Sequence, residues 1–423
     1  VENKLITTLG MEIGGKMHTS RSRNDQVVLD SKLKSRNELL QLRENLAEVI
    51  DVLIRKSHEG LEDVMVGYTH VQHAQPISVA YWLSHYAAAF LRDLERLKRA
   101  YDITDQNPLG AGALAGSSFP IDRNMTTQLL GFQEVHEHGM DTTSSRDFML
   151  EILSANAILE TTASRIAEEF ILWSSHEFRT LTLDDSFAMG SSMMPQKKNP
   201  GAVELLRGRA GRVNGLLSAG LTMMKGLPSG YNRDFHEEKE VVFESLRLVN
   251  LMVDMLPKLL ASTTINKERM KELSYANFSS ATEVANFLVR DHDIPFRKAH
   301  HIVGSLVGKL HSQGKNFSDT NECVEHMRSC GVEIPANELK NILNTDNVMR
   351  SYESQGGTGP KAVAKMLDSF ESQLCSHKSQ LEKDKSRVTN AYECARKIAT
   401  SLEGVCDYPS YKKSVDVFLP INT

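Results

Sequence analysis

The feature of this sequence that most constrains its fold is a set of long segments in which apolar residues recur every three or four positions. In residues 26–57 the recurring apolar positions are Leu29, Leu33, Leu40, Leu46, Val49, Ile50 and Leu53. This spacing places the apolar side chains on one face of an α-helix, with charged residues on the other face. The same pattern predicts four more long helices, at residues 77–101, 145–178, 201–225 and 237–261.

The lengths of these predicted helices indicate how they pack. A helix over residues 145–178 would be roughly 50 Å long at about 1.5 Å per residue. Such a helix cannot bury its apolar stripe inside one small domain, so we expect a bundle that is shared between subunits. Period-two strand patterns are missing apart from one candidate at residues 415–419. The predicted fold class is therefore all-α.

The second half of the chain has a different pattern. After residue 265 the predicted helices are shorter, and they cover residues 281–290, 296–310, 337–344 and 360–374. The chain also begins at Val1 in mid-pattern, so we expect that its natural amino-terminal segment is missing. We therefore predict four parts: residues 1–23, a remnant of an N-terminal domain with an active-site loop; 24–265, the long-helix bundle; 266–374, a small helical C-terminal domain; and 375–423, an unassigned helical tail.

The charge balance argues against large charged partners. The chain has 49 Lys and Arg against 54 Asp and Glu, a net charge of −5. This gives no global positive field that would attract nucleic acid or an anionic membrane surface. No apolar run approaches the roughly 20 residues of a membrane span. We expect a small-molecule partner, and neither nucleic acid nor membrane.

Cysteine usage predicts the compartment. The five cysteines, at positions 323, 330, 375, 394 and 406, form no C-x-x-C pair and no zinc-ligand spacing. They are typical of reduced thiols in a cytoplasmic protein. Since no cluster of ligand-type residues has a workable spacing, we expect no metal and no organic cofactor.

A polar loop interrupts the long helices at residues 190–200, with the sequence Gly-Ser-Ser-Met-Met-Pro-Gln-Lys-Lys-Asn-Pro. Its glycine and its two prolines prevent a continuous helix. A loop that presents Ser191, Lys197 and Asn199 offers a hydroxyl that can take a proton and donors that can hold an anion, which suits carbanion formation beside a carboxylate. The alternative is a solvated loop that caps the next helix, with Asn199 as N-cap and Pro200 at N1. On these residues alone the alternative is ahead.

Two further polar loops and one small-residue segment punctuate the pattern. Residues 18–26 and 67–76 are predicted loops, and Asn24 or Asp25 can cap the helix that follows the first. Residues 107–116 are rich in Gly and Ala, so backbone can come close to another group there. That group is either a ligand or a packed helix, and the residues do not decide between them.

Together these loops resemble a known family. Residues 190–200 resemble the signature loop of the fumarase/aspartase superfamily, and residues 18–26 and 67–76 resemble the other two active-site segments of its argininosuccinate lyase and delta-crystallin branch. Residues 109–116 and 227–239 are also similar, and the similarity extends to about residue 367. The resemblance implies a homotetramer of long-helix bundles in which each active site is assembled from loops of three chains.

The resemblance also implies a reaction and roles for its catalytic residues. The reaction is an anti β-elimination that breaks a carbon–nitrogen bond and releases fumarate through an aci-carboxylate dianion. Ser191 is expected to remove the proton, while Lys197 and Asn199 hold the dianion. His70 is expected to protonate the leaving nitrogen, with Glu204 as its charge-relay carboxylate.

Substrate contacts follow in the same way from the matched segments. Those expected to bind the carboxylates of the fumarate half are Ser22, Arg23 and Asn24, and Thr69 and Gln72 are expected to add contacts. Tyr231, His236 and Lys239 lie where the family binds the amino-acid half of the substrate.

Three positions depart from the family pattern. Ser20 replaces a glycine, His236 replaces a glutamine and Ser145 replaces an acidic residue. Three hypotheses are therefore carried forward. The first is argininosuccinate lyase activity, the second is a related lyase that releases fumarate from another N-substituted aspartate, and the third is an inactive structural protein like delta-crystallin.

Overall fold

The computed structural model describes residues 2–402, and within them the protein is nearly all helical. The predicted all-α class is confirmed. The α-helices of these residues are α1 (Glu2–Leu9), α2 (Met11–Gly14), α3 (Arg23–Glu59), α4 (Val79–Thr104), α5 (Arg123–Leu130), α6 (Gly139–Ser144), α7 (Asp147–Trp173), α8 (Gly201–Met224), α9 (Glu238–Ser262), α10 (Lys267–Ala276), α11 (Ala281–His292), α12 (Phe296–Ser312), α13 (Thr320–Ser329), α14 (Ala336–Leu343), α15 (Thr345–Ser351) and α16 (Pro360–Ser401).

Short strands pair two by two between these helices. Antiparallel pairs are formed by β1 (Val64–Thr69) with β2 (Gln72–Ser78), by β5 (Leu181–Thr182) with β8 (Thr264–Ile265), and by β6 (Met189–Gly190) with β7 (Lys198–Asn199), while β3 (Gln106–Asn107) and β4 (Glu134–Val135) are parallel. The prediction of a loop at residues 67–76 is wrong, because these residues form most of the β1–β2 hairpin. The candidate strand at residues 415–419 lies outside the described residues.

The five predicted long helices are confirmed as elements, although their ends shift. The largest error is at α7, which has 27 residues and is about 40 Å long. It begins after Arg146, whose φ of −136° and ψ of 15° are not helical. It ends at Trp173, before a turn in which Arg179 has a φ of 53°.

Three of the long helices run parallel. Near their amino ends, Ser31 of α3 donates to Glu238 of α9 (3.2 Å), and near their carboxyl ends Lys56 donates to the carbonyl of Thr263 (3.1 Å). Arg146, directly before α7, pairs with Glu238 at the start of α9, and Asn156 of α7 donates to Ser245 further along α9 (3.0 Å), so α7 shares this direction.

The remaining two long helices run antiparallel to these three. Helix α4 begins beside Gly60, where α3 ends. Helix α8 passes Met252 at Arg209 and Val241 at Gly220, so it runs against α9. The bundle therefore has two ends. The first end holds the amino termini of α3, α7 and α9, and the second end holds their carboxyl termini and the starts of α4 and α8.

Two hydrophobic cores are buried. The larger fills the bundle and includes Val363, Leu367, Leu374, Leu381 and Val388 of α16. The smaller lies within residues 284–343. The boundary predicted at residue 374 therefore falls inside one continuous helix that packs on the bundle, and the division of the chain into domains stays a proposal. Within residues 2–402 no helix is long and apolar enough to cross a bilayer.

Buried ion pairs attach α16 to the bundle. Arg43 of α3 donates to Asp384 (2.8 Å), and both side chains are buried. Arg387 pairs with buried Asp105, which Arg36 approaches at 3.4 Å. Burial raises the pKa of Asp105 to about 6, although Arg387 and Arg36 favour its ionised form. The last helix is therefore held by ion pairs whose carboxylates are buried.

Substitution Asp384→Ala tests this attachment. It leaves the Arg43 guanidinium buried without its carboxylate, so we expect the free energy of unfolding to fall by about 3–5 kcal/mol. The control is Lys385→Gln on the same helix, which removes a more exposed pair with Glu44 and should cost less than about 1 kcal/mol. Urea unfolding at equal protein concentration measures the free energy of unfolding of both variants. Equal losses of stability would contradict the role of the Arg43–Asp384 pair in attaching α16.

A carboxyl group without a partner lies in the bundle core. Glu160 of α7 is fully buried, and neither of its oxygens has a hydrogen-bond partner among the residues that the structure describes. Burial raises its pKa from 4.5 to about 8, and Arg209 opposes this only in part. Glu160 is therefore held in its neutral form near pH 7.

This carboxyl group predicts a pH dependence of stability. The folded state keeps the Glu160 proton to about pH 8, whereas the unfolded chain releases it near pH 4.5. Its contribution to the free energy of unfolding is thus complete below pH 4.5 and is lost as pH rises towards 8. We expect Glu160→Gln to remove this slope and to be more stable than the parent by about 2–4 kcal/mol at pH 8. Exposed Glu151→Gln on the same helix is the control, and an unchanged slope in Glu160→Gln would refute the assignment.

Candidate active site

The central loop is closed at its base by the β6–β7 pair, so residues 191–197 project from a short hairpin. The Oγ atom of Ser191 accepts hydrogen bonds from the backbone amides of Met193 (3.2 Å) and Met194 (3.0 Å). Two amide donors favour negative charge on an oxygen, as in an oxyanion hole. The Ser191 hydroxyl is therefore placed to lose its proton more readily than an ordinary serine hydroxyl.

The two lysines of this loop differ in their contacts. Lys198 donates to the carboxylate of Asp185 (2.6 Å) and to the carbonyl of Leu183 (2.5 Å), so it fixes the loop to the preceding chain. Lys197 is exposed and donates to the side-chain oxygen of Asn199 (2.5 Å). Lys197 and Asn199 therefore form one unit that can hold an anion.

Helix α8 begins directly after the loop. Pro200 is its N-cap, and no side chain caps the helix. The alternative interpretation, in which Asn199 caps the helix and Pro200 occupies N1, is therefore wrong. Glu204 lies in the first turn of α8 and is exposed.

The β1–β2 hairpin carries His70 at its tip. His70 and Val71 have φ angles of 54° and 58°, and both are exposed together with Thr69 and Gln72. Positive φ at two successive residues is typical of a type I′ turn, which usually contains Asn or Gly. A β-branched residue in this region costs about 1–3 kcal/mol, and such strain is concentrated at functional sites.

At the first end of the bundle, the start of α3 is joined to the Gly/Ala segment. Ser22 is the N-cap and accepts from the amide of Asn24 (3.2 Å), so the predicted cap at Asn24 or Asp25 is wrong. Asn24 donates to the carbonyl of Ala113 (3.0 Å). Arg23 is exposed in the first turn of the helix. The three residues expected to bind carboxylate are thus held beside residues 107–116.

Asp25 also contacts this Gly/Ala segment. It is fully buried, and its Oδ2 atom accepts from the amides of Gly110 (3.0 Å) and Gly112 (2.9 Å). These two glycines have φ angles of 96° and 62°, which favour glycine. The Gly/Ala segment therefore packs against the first turn of α3, which is the packed-helix alternative, and it does so through a buried carboxylate.

A buried ion pair supports the other group of predicted contacts. Arg146 pairs with Glu238, and its guanidinium lies 4.3 Å above the ring of Phe235. Burial raises the pKa of Glu238, and Arg146 opposes the shift. The ring of Tyr231 lies 5.7 Å from that of Phe235 and 6.4 Å from that of His236. Sequence reasoning missed Arg146 and Glu238, since both resemble surface charges.

The structure places the predicted site residues in two groups at opposite ends of the bundle. Helix α3 alone, with 37 residues, spans roughly 55 Å. In residues 2–402 no hydrogen bond or ion pair joins the groups, and none joins His70 to Ser191 or Glu204. At the second end lie Thr69, His70, Gln72, Ser191, Lys197, Asn199 and Glu204, and at the first end lie Ser22, Arg23, Asn24, Tyr231, His236 and Lys239.

Comparisons with known proteins identify the family. Residues 1–215 match a family model described as Lyase, and residues 278–350 match one described as Argininosuccinate lyase C-terminal. The chain is 42% identical over 374 residues to an argininosuccinate lyase of Listeria monocytogenes, which covers 88% of this chain and 81% of the relative. It is 41% identical over 367 residues to that of Campylobacter concisus, which covers 87% and 78%.

The chain belongs to the argininosuccinate lyase family.

Solved structures share the fold of this chain. EDDS lyase in complex with formate superposes with a TM-score of 0.88 at 27% identity, covering 99% of this chain and 82% of that one. A variant of EDDS lyase with bound fumarate gives a TM-score of 0.87 at 28% identity, with coverage of 99% and 82%. A class II fumarase of Schistosoma mansoni, at 17% identity and a TM-score of 0.68, shares the fold and covers 79% and 72%.

Membership of the argininosuccinate lyase family decides between the hypotheses. The curated relatives support a lyase, with argininosuccinate lyase as its activity. This confirms the first hypothesis over an inactive structural protein.

Asp25→Ala tests the arrangement at the start of α3. It leaves two glycine amides without an acceptor, so we expect a loss of about 1–3 kcal/mol in stability. Because Asn24 and Arg23 adjoin these amides, KM for the substrate should rise by about tenfold, with a smaller effect on kcat. Asp30→Ala, an exposed position of the same helix, should change neither. An unchanged KM in Asp25→Ala would separate this contact from substrate binding.

Proposed function

We propose that this protein eliminates fumarate from argininosuccinate, leaving L-arginine, at active sites that are completed between the chains of a homotetramer. The observation that carries the proposal is the separation of the two groups of site residues. The serine loop and the histidine hairpin lie at the second end of the bundle, and the carboxylate-binding segment lies at the first. One chain therefore cannot bring them to one substrate, but neighbouring chains packed antiparallel can.

Proton removal falls to the serine loop. Ser191 Oγ takes the proton from the carbon beside the substrate carboxylate, and the electron pair is stabilised on that carboxylate as an aci-dianion. The amides of Met193 and Met194 favour the ionised serine, and exposed Lys197 supplies a positive charge from the same loop. Preorganised donors of this kind contribute most when charge develops in the transition state.

Bond cleavage requires a proton at the leaving nitrogen. The electron pair of the dianion forms the carbon–carbon double bond of fumarate as the carbon–nitrogen bond breaks, and His70 gives its proton to the nitrogen. His70 stands exposed at a strained hairpin tip, where it can reach across to another chain. Glu204 is also exposed, and we assign it the role of orienting His70 of a neighbouring copy.

The remaining residues bind the two halves of the substrate. Ser22, Arg23 and Asn24 bind carboxylate of the fumarate half, and Thr69 and Gln72 add contacts from the hairpin. Tyr231, His236 and Lys239 bind the amino-acid half. Exposed Arg23 can hold a carboxylate through two parallel N–H groups.

The bundle surface supports assembly into an oligomer. Large apolar side chains stand exposed on three of the long helices, namely Ile158 on α7, Leu205 and Leu221 on α8, and Leu251 on α9. On α8, a Cβ atom added at Gly208, Gly211 or Gly215 would meet nothing within 4 Å. Helices of other copies can therefore approach α8 closely and bury this apolar face. The cytoplasmic location predicted from the cysteines remains part of the proposal.

Two inactive variants should restore each other. Ser191→Ala should lower kcat by at least about 10²-fold, since it removes the hydroxyl that takes the proton. Arg23→Ala should lower kcat/KM to a similar extent. When the two are unfolded together and reassembled, about one quarter of sites would draw both intact groups from different chains, so activity should return to a measurable fraction of the parent's.

Matched variants control this experiment. Ser192→Ala and Arg21→Ala change exposed neighbours and should stay active alone. Fumarate release is followed by its ultraviolet absorbance. If the mixture of Ser191→Ala and Arg23→Ala stayed as inactive as its components while both remained tetrameric, the shared site would be refuted.

A further inference from the structure

An aromatic cavity lies beneath the hairpin that carries His70. Its volume is about 320 Å³, and it is separate from the polar residues assigned to the elimination. Its walls come from the back of the hairpin, from α4 and from the end of α7. Five aromatic side chains line it, namely Tyr68, Tyr81, Trp82, Trp173 and Phe178.

Both tryptophans of the chain stand in this wall. The sequence has two Trp residues, and their rings in the cavity are 4.4 Å apart between centroids. The ring of Tyr68 lies 6.2 Å from Trp173 and 6.1 Å from Phe178. The cavity therefore presents several π faces and edges to whatever enters it.

The charged lining is acidic. Glu169 is the carboxylate in the wall, and its Oε2 atom accepts from the indole N–H of Trp82 at 2.7 Å. Burial raises the pKa of Tyr86, and the nearby Glu169 carboxylate adds to this rise. The indole donor fixes the carboxylate at the edge of the aromatic wall.

No Lys or Arg side chain is among the residues that line the cavity, which come entirely from the described part of the chain. Arg269 lies nearby, but it pairs with Glu272 at 2.8 Å and donates to the backbone carbonyl of Phe178 at 3.1 Å. The hydroxyl of Tyr81 points away from the cavity and donates to the carbonyl of Gly356 at 3.1 Å. His85 also lines the cavity, and its Nδ1 atom lies 3.2 Å from the carbonyl oxygen of Trp82. The cavity thus combines a carboxylate with π faces, and its lining contains neither Lys nor Arg.

We propose that this cavity binds a small organic cation, with a guanidinium or a substituted ammonium group. Aromatic faces attract such cations through their quadrupoles, and the attraction is strongest where water is excluded. A carboxylate at the edge attracts a cationic ligand. An apolar ligand would leave this negative charge uncompensated. Cavities of about this size are ordinary for small ligands.

The location gives the site a connection with catalysis. Gly67, Tyr68 and Val71 line the cavity and belong to the hairpin whose tip carries His70. A bound cation would therefore pack against the back of the strained turn. This part rests on the proposed function, because the product of that reaction, L-arginine, carries a guanidinium group of the class that fits.

Intrinsic fluorescence gives a direct test, since both tryptophans report from the cavity. The probes are choline and its neutral isostere 3,3-dimethylbutan-1-ol, each titrated into the assembled parent protein at constant ionic strength. We expect choline to change the emission saturably and the alcohol to bind at least about tenfold more weakly. Equal binding of both would show an apolar cavity, and absence of a saturable change with choline would show no site; either result overturns the proposal.

Two neighbouring glutamates supply matched variants. Glu169→Gln keeps an oxygen for the Trp82 N–H but removes the charge, and should weaken choline at least about tenfold. Glu168→Gln is the control, because Glu168 pairs with Arg207 at 2.6 Å outside the cavity and should leave choline binding unchanged. A cavity that kept its affinity in Glu169→Gln would contradict the role of the carboxylate.

The readout is independent of the elimination reaction. Fluorescence reports occupancy whether or not fumarate is released, so a failure of the cavity proposal leaves the proposed activity intact. Conversely, choline binding in Ser191→Ala should equal that of the parent, since that variant leaves the cavity lining unchanged. A loss of binding there would place the ligand in the active site instead.

Discussion

The parallel packing of α3, α7 and α9 is the constraint on which the rest of the structure depends. Buried Arg146, Glu238 and Ser31 connect the amino ends of these three helices. At the far ends, Lys56 is bonded to the chain just after α9. With the helices held in this register, the loops that precede them and the loops that follow them are kept tens of ångströms apart. The division of the site between copies that we propose rests on this register.

Much of the fold could be read from the sequence because apolar periodicity is a local signal. Each long helix was predicted because its buried stripe recurs over many turns. The hairpin was missed because its turn, His70-Val71, has positive φ angles at residues that seldom adopt them. The continuity of α16 was missed as well. Its anchors are buried Asp384 and partly buried Arg387, charged residues whose partners lie more than 250 positions away in the sequence.

The sequence supplied the residues proposed for the site but not their arrangement. Composition marked the serine loop, and family resemblance supplied the roles of Ser191 and His70. The supporting groups Asp25, Arg146 and Glu238 carry no sequence signal, since a buried charge is recognised only through the partner that neutralises it. The two-ended layout also depends on helix direction, which periodicity does not encode. The polar loops are thus functional groups displayed on a rigid scaffold, and the scaffold decides which of them can meet.

The most direct test of this account is a structure of the assembled Ser191→Ala protein with argininosuccinate bound. The account predicts that the fumarate half contacts Lys197 and Asn199 of one chain and Arg23 and Asn24 of another, with His70 beside the bridging nitrogen. A substrate held by residues of a single chain would contradict it.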